Sequence, residues 1–302
     1  MVTRDSAQSS SRRLDPAATV GAVALTVADL GRSKDFYTRV LGMSELGAAD
    51  GGSLTLGGPD GVALLELTAN PDAPPRDPRQ TGLFHFAVLV PSRLDLARAL
   101  VGLASSRWPL SGASDHLVSE ALYLNDPDGN GIEIYRDRSR AEWPYDANGT
   151  IEMATLALDL DDLVGELGRE GGRGGAERPS WELAAGTRMG HVHLQVAALA
   201  EVEAFYAGVL GFDVTVRGYP GALFVAAGGY HHHIGLNTWN SRGHSAPPAG
   251  ALGLASFEVQ TGSAAGLDAV LERVSRAGLA VKQTPAGLLV ADPSGNRVRL
   301  TA

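Results

Sequence analysis

Two stretches of the chain repeat one pattern of apolar and polar positions. Residues 21–42 (GAVALTVADLGRSKDFYTRVLG) and 190–211 (GHVHLQVAALAEVEAFYAGVLG) align without a gap at an offset of 169. Each opens with alternating apolar residues, the period-two signature of a strand. Each then changes to a spacing of three and four around Phe36-Tyr37 or Phe205-Tyr206 and stops at Gly42 or Gly211, which predicts an amphipathic helix with a C-terminal glycine. Two fainter copies follow the same plan: a strand at 84–90 (FHFAVLV) before a helical pattern at 94–103, and a strand at 254–259 (LASFEV) before one at 267–274. Both fainter copies close on a DP-x-GN turn that feeds a last strand, NDPDGNGIEIY at 125–135 and ADPSGNRVRL at 291–300.

The pattern predicts an α+β fold of four modules, at about 20–70, 82–137, 188–240 and 251–302, each a strand, a helix and several strands. Residues 1–17 are expected to form a polar, disordered tail, and 18–137 an N-terminal domain holding modules one and two. Residues 138–187, rich in glycine and charge with a short helix near 159–167, are expected to link it to a C-terminal domain at 188–302 holding modules three and four.

Composition narrows the function. A length of 302 residues favours two domains, and 44% hydrophobic against 20% charged residues supports an ordinary globular core. The net charge of −9, without a Lys/Arg-rich run, argues against a nucleic-acid or anionic-membrane partner. The absence of cysteine excludes disulfides, thiolate metal sites and Cys nucleophiles and suits a reducing cytoplasm, so any metal must be held by His, Asp or Glu. Neither a signal-peptide core nor an apolar run of membrane-spanning length is present.

With these motifs in hand, the chain resembles the vicinal oxygen chelate superfamily, which includes glyoxalase I, bleomycin resistance proteins and extradiol dioxygenases. The marks are HFAVLV and GHVHLQV at strand starts, FYTRVLG and FYAGVLG in helices, and DPDGNGIEIY at a module end. Within the superfamily, SDHLVSEALYLNDPDGNGIEIY and GGYHHHIGLNTW look like the catechol-2,3-dioxygenase branch. The resemblance implies four βαβββ modules pairing into two curved-sheet cups, with metal ligands drawn from first and last strands.

First-strand positions are Ala22, His85, His191 and Leu254, and last-strand positions are Glu66, Glu133, the region of Asn237 and Arg299. Leu254 has no lone pair to offer and Arg299 is a fixed cation, so ligand-capable residues concentrate in modules two and three. His85, Glu133 and His191 make a two-His-one-carboxylate set, which suits Fe(II) or Mn(II) and leaves positions open for substrate and O₂. A carboxylate in the apolar run Ile132-Glu133-Ile134 is costly to bury unless something such as a cation pairs with it. This set requires modules two and three to share one cup, leaving one and four in a metal-free cup. Sequential pairing would instead leave Glu66, His85 and Glu133 as a glyoxalase-like site.

The resemblance assigns the acid–base role to His232, in the stretch 231–236 (HHHIGL), where strand alternation would set His231 and His233 on one face and His232 on the other. It also places His116 and Tyr123, seventeen and ten residues before Glu133, at substrate oxygens. His193 shares a face with His191, Trp239 is a candidate for aromatic contact, and the Phe-Tyr pairs are expected in the core. The implied reaction opens a catechol or substituted catechol with O₂ to a semialdehyde acid. A metal-dependent isomerase or lyase and a metal-free binder of an aromatic drug stand as alternatives. The expected partners are a small aromatic diol and O₂, with neither nucleic acid nor membrane, and module-edge strands are compatible with a homo-oligomer.

Overall fold

The computed structural model describes residues 13–49, 52–169 and 181–302. Residues 1–12 of the expected tail and 170–180 of the expected linker lie outside the described residues. Within the tail, Leu14 is buried and its N–H donates to the Gly211 carbonyl at 2.7 Å.

The fold is α+β, and each module has the order βαβββ. Module one comprises β1 (Thr19–Val27), α1 (Leu30–Asp35), β2 (Ser44–Ala49), β3 (Ser53–Gly57) and β4 (Ala63–Ala69). Module two comprises β5 (Gly82–Leu89), α2 (Arg93–Ser105), β6 (Gly112–Asp115), β7 (Ser119–Asn125) and β8 (Gly131–Asp137). The expected linker carries β9 (Leu156–Ala157) and α3 (Leu160–Arg169). Module three is built from β10 (Arg188–Gln195), α4 (Leu199–Glu203), β11 (Asp213–Val216), β12 (Ala222–Ala226) and β13 (Ile234–Asn237). Module four follows with β14 (Gly253–Gln260), α5 (Ala264–Arg276), β15 (Val281–Thr284), β16 (Gly287–Ala291) and β17 (Arg297–Thr301).

The strands form an eight-stranded sheet, β15-β16-β17-β14-β1-β4-β3-β2, and a nine-stranded sheet, β11-β12-β13-β10-β5-β8-β7-β6-β9. Strands of modules two and three therefore belong to one sheet and those of one and four to the other, the cross-pairing expected from the sequence. In modules two, three and four the first and last strands run side by side and parallel, β5 with β8, β10 with β13 and β14 with β17. That arrangement sets the two strands expected to carry ligands next to each other. By compactness the chain divides into one unit of residues 24–73 and 85–189 and another of 1–23, 74–84 and 190–302.

Helix starts follow side-chain caps. Asp29 accepts from the Arg32 N–H at 3.0 Å, Ser92 from Asp95 at 3.2 Å and Ser263 from Gly266 at 3.1 Å. The helices of modules one and three depart from the predicted α period. After α1 the chain widens into a π-turn over Phe36–Val40, and after α4 over Ala204–Leu210. Five-residue bonds, Leu41 to the Phe36 carbonyl (3.2 Å) and Gly211 to that of Tyr206 (3.1 Å), mark these turns, and in each the two adjacent aromatics, Phe36-Tyr37 and Phe205-Tyr206, are buried.

The two tyrosines do more than fill the core. In the unit holding modules one and two, the Tyr37 hydroxyl donates to Asp126 Oδ2 at 2.7 Å, inside the DP-x-GN turn of module two. The same carboxylate accepts from the N–H groups of Asp128 (2.9 Å) and Asn130 (2.8 Å) and from Asn130 Nδ2 (2.8 Å). In the other unit, Tyr206 donates to Asp292 at 3.0 Å, and Asp292 accepts from Ser294 N, Asn296 N and Asn296 Nδ2 in the same manner. Burial raises the pKa of both carboxyls, while these donors oppose it, and burial keeps both tyrosines protonated as donors.

Part of the expected linker is well anchored. In α3, Leu163 is fully buried, and Arg93 at the start of α2 joins Asp162 (2.8 Å) and Glu166 (2.8 Å) of α3. Arg93 also pairs with buried Glu120 (2.9 Å), which further accepts from Arg136 (2.8 Å) and Arg138 (3.2 Å).

Replacing Tyr37 by Phe removes one hydrogen bond to a buried carboxylate. The expected loss is on the order of 1–3 kcal/mol in chemical unfolding, with Tyr206→Phe matching it. A change below the error of the measurement in both variants would show that the turns hold without the tyrosines.

Candidate metal centre and active site

Alternation along β5 and β8 divides module two into two faces. Phe86, Val88, Ile132 and Ile134 are buried on the face where α2 packs against β8. The opposite face carries Ala87, Leu89, Ala121 and Tyr135 in one cluster with Tyr123 against it. His85 and Glu133 lie on that second face, because β5 and β8 pair Ala87 with Glu133 and His85 with Gly131. Their side chains meet, His85 Nε2 to Glu133 Oε2 at 3.0 Å, with 9% and 3% exposure. The His85 ring lies 5.7 Å from that of Tyr123.

His191 is buried in the middle of β10. Among the described residues, His85, Glu133 and His191 form a group in which one potential ligand atom of each lies within 4.8 Å of the others. Two imidazoles and a carboxylate, all buried and free of thiolate competition, fit a first-row divalent cation, and the cation would neutralise the carboxylate. Glu66, the carboxylate of the alternative set, sits on β4 in the eight-stranded sheet and outside this group.

The histidine run departs from its expected strand geometry. β13 begins only at Ile234, and residues 231–233 form a bend after the left-handed glycines Gly228 (φ 61°) and Gly229 (φ 66°). Face alternation therefore does not apply to them. His231 Nδ1 and His232 Nδ1 share one hydrogen at 2.8 Å, and the His232 ring lies 4.1 Å from that of His191. His233 points elsewhere, accepting from the Ala227 N–H at 3.1 Å and packing on Tyr230.

His193 pairs across the ladder with Gly235 and lies among Phe84, Phe224 and Trp239, at 5.1, 5.7 and 5.3 Å. A Cβ on Gly235 would come within 2.9 Å of the His193 ring, which accounts for the glycine in the HHHIGL stretch. Trp239 is 43% exposed, with its indole N–H held by the Pro220 carbonyl at 2.9 Å. Sequence reasoning missed the contributions of Phe84 and Phe224, whose signal is no more than alternation within an apolar strand.

His116 and Tyr123 are joined, His116 Nε2 to the Tyr123 hydroxyl at 2.7 Å. The other ring nitrogen, Nδ1, meets the Ala154 carbonyl at 2.6 Å, a contact that nothing in the side-chain sequence announces. Leu117, beside His116 in the β6–β7 hairpin, has φ 69°, left-handed backbone that leucine adopts at a cost of about 1 kcal/mol.

A family model described as the Glyoxalase/Bleomycin resistance protein/Dioxygenase superfamily matches residues 19–134 and 188–300, and the chain belongs to that superfamily. Among curated proteins, the catechol-2,3-dioxygenase of Bacillus subtilis (strain 168) is 44% identical over 278 residues, covering 91% of this chain and 93% of that protein. Among solved structures, glyoxalase I from Zea mays superposes with a TM-score of 0.56 at 18% identity, covering 94% of this chain and 92% of that one. A Bacillus subtilis subsp. subtilis str. 168 structure provisionally described as a dioxygenase superposes with a TM-score of 0.62 at 11% identity, covering 96% and 85%. Identities this low establish a shared fold.

If the three clustered residues hold one ion, His85→Ala, Glu133→Ala and His191→Ala should each lower bound metal per chain at least tenfold by elemental analysis. Retention of metal by His191→Ala at the wild-type level would remove it from the set.

Proposed function

We propose that this protein is an extradiol dioxygenase, opening the ring of catechol or a substituted catechol with O₂ to a semialdehyde acid, with Fe(II) held by His85, Glu133 and His191. The observation that carries the proposal is the buried His-Glu-His cluster in a chain 44% identical to a catechol-2,3-dioxygenase. The donor set also suits Mn(II). When bound, the ion supplies open coordination positions at which a diol and O₂ can meet and a charge that favours the deprotonated diol. Diol and O₂ sum to the product atom for atom, so no external reductant is required.

The protein's own groups manage the protons. His232 lies against His191, and its Nδ1 shares a hydrogen with His231, an arrangement that suits it to carry a proton as general acid or base. Tyr123, bonded to His116 at 2.7 Å and with its ring 5.7 Å from that of His85, is the group we assign to hold a diol oxygen from module two, with His116 behind it. No helix among the described residues is long and apolar enough to cross a membrane, and the cysteine-free composition suits a cytoplasmic enzyme.

Anaerobic loading with Fe(II), followed by a catechol series and O₂, should give a yellow product with one O₂ consumed per ring opened. Absence of both product and uptake across the series would overturn the proposal. His232→Phe should keep its iron and lose turnover by roughly 10²–10⁴.

A further inference from the structure

The connecting segment after module two reaches back to the active-site face, and its backbone meets one of the site's histidines. β9 pairs with β6, Ala157 opposite Ser114 and Leu156 opposite Asp115, so the segment is an added strand beside the hairpin that carries His116. Upstream, Trp143 is buried with its indole N–H on the Arg138 carbonyl at 3.0 Å, and Tyr145 bridges Ile151. Between these anchors, the Ala154 N–H donates to the His116 carbonyl (3.4 Å) while the Ala154 carbonyl faces His116 Nδ1 at 2.6 Å.

A carbonyl oxygen can only accept. The hydrogen between Ala154 and His116 must therefore sit on Nδ1, and the neutral ring then has a bare Nε2. In that neutral form Tyr123 is the donor across the 2.7 Å contact at Nε2, and its oxygen keeps lone pairs that can accept. The hairpin is held in register for this: the Leu117 N–H is fixed by Asp115 Oδ1 at 2.8 Å, and the His116 N–H by the Ser119 carbonyl at 2.8 Å.

We propose that the Ala154 carbonyl is a positioning group that locks His116 as the Nδ1–H tautomer, making Tyr123–His116 a one-directional acceptor for a proton from the diol. The proposal rests on the dioxygenase function proposed above and gives the diol's hydroxyl a partner. In the step, the diol O–H bond breaks as Tyr123 Oη takes its proton, and Tyr123's own proton moves to His116 Nε2. One proton is transferred, the tyrosine is regenerated, and the diol is left as its monoanion. The new imidazolium keeps its Nδ1–H on the Ala154 carbonyl, so the charge is stabilised without ring rotation. The opposite tautomer would have Nε2–H donating to Tyr123, leaving no place for the proton.

The test uses ¹⁵N-histidine-labelled full-length protein loaded with diamagnetic Zn(II), with His116→Gln identifying the resonances. His116 should show a protonated Nδ1 and an unprotonated Nε2, and Tyr123→Phe should move the Nε2 resonance while leaving Nδ1 protonated. A dominant Nε2–H tautomer in the wild type would overturn the proposal, whatever the enzyme's activity. Inserting one glycine between Met153 and Ala154 shifts the carbonyl out of register. That variant should show mixed tautomers, a fall in kcat of more than tenfold in the Fe(II) enzyme and less than a twofold change in KM. Mixed tautomers with unchanged kcat would overturn the relay. Failure of the dioxygenase function itself would appear separately, as a wild type that shows the Nδ1–H tautomer yet opens no catechol.

Discussion

The clasp on a buried aspartate is the interaction on which the rest of this molecule depends. Asp126 is withdrawn from water and must be satisfied from within, and four donors converge on it, two from main chain, one from Asn130 and one from Tyr37. The turn so formed ends at Asn130, and β8 begins at the next residue with Glu133 two positions further on. A one-residue slip of that turn would move Glu133 to the opposite face of the sheet, away from His85. The tyrosine comes from module one and the aspartate from module two, so the helix of one module sets the strand register of the next. Tyr206 and Asp292 repeat the arrangement for modules three and four.

One skeleton thus serves four times, and substitution at a few positions decides what each copy does. Where module two has Glu133 on its last strand, module four has Arg299, held 3.8 Å from Glu258 of the neighbouring strand. An internal ion pair there answers the same need for charge balance that a cation would meet beside Glu133. Module four consequently keeps the βαβββ architecture without the means to bind a metal through those positions.

Much of the fold was legible because repetition made it so. Alternation, helical spacing and the DP-x-GN turns marked the modules, and the cross-pairing followed from the distribution of His85, Glu133 and His191 over modules two and three. Two local geometries escaped for physical reasons. The π-turns after α1 and α4 leave nearly the same apolar spacing as α-helix, and the histidine run is bent after two left-handed glycines, Gly228 and Gly229, whose effect a period-two pattern does not carry. The Ala154 contact was invisible altogether, since a main-chain carbonyl has no side-chain signature. The second role of Tyr37 and Tyr206 was similarly hidden, because a core aromatic and a hydroxyl donor are the same letter.

The attachment of α3 has a consequence for how the protein responds to its surroundings. Apart from Leu163, the helix is held to α2 chiefly through Arg93, with Asp162 and Glu166 only partly screened from solvent and Glu120 completing the network behind. Attractions of this kind are weakened by dissolved ions, and they lose less ground on heating than apolar contacts because the penalty for dehydrating charge shrinks as water warms. Since the chain runs from Ala154 through β9 into α3, ionic strength acts on the same stretch of backbone that touches His116. The protein's surroundings thereby have a hand on the backbone that meets His116.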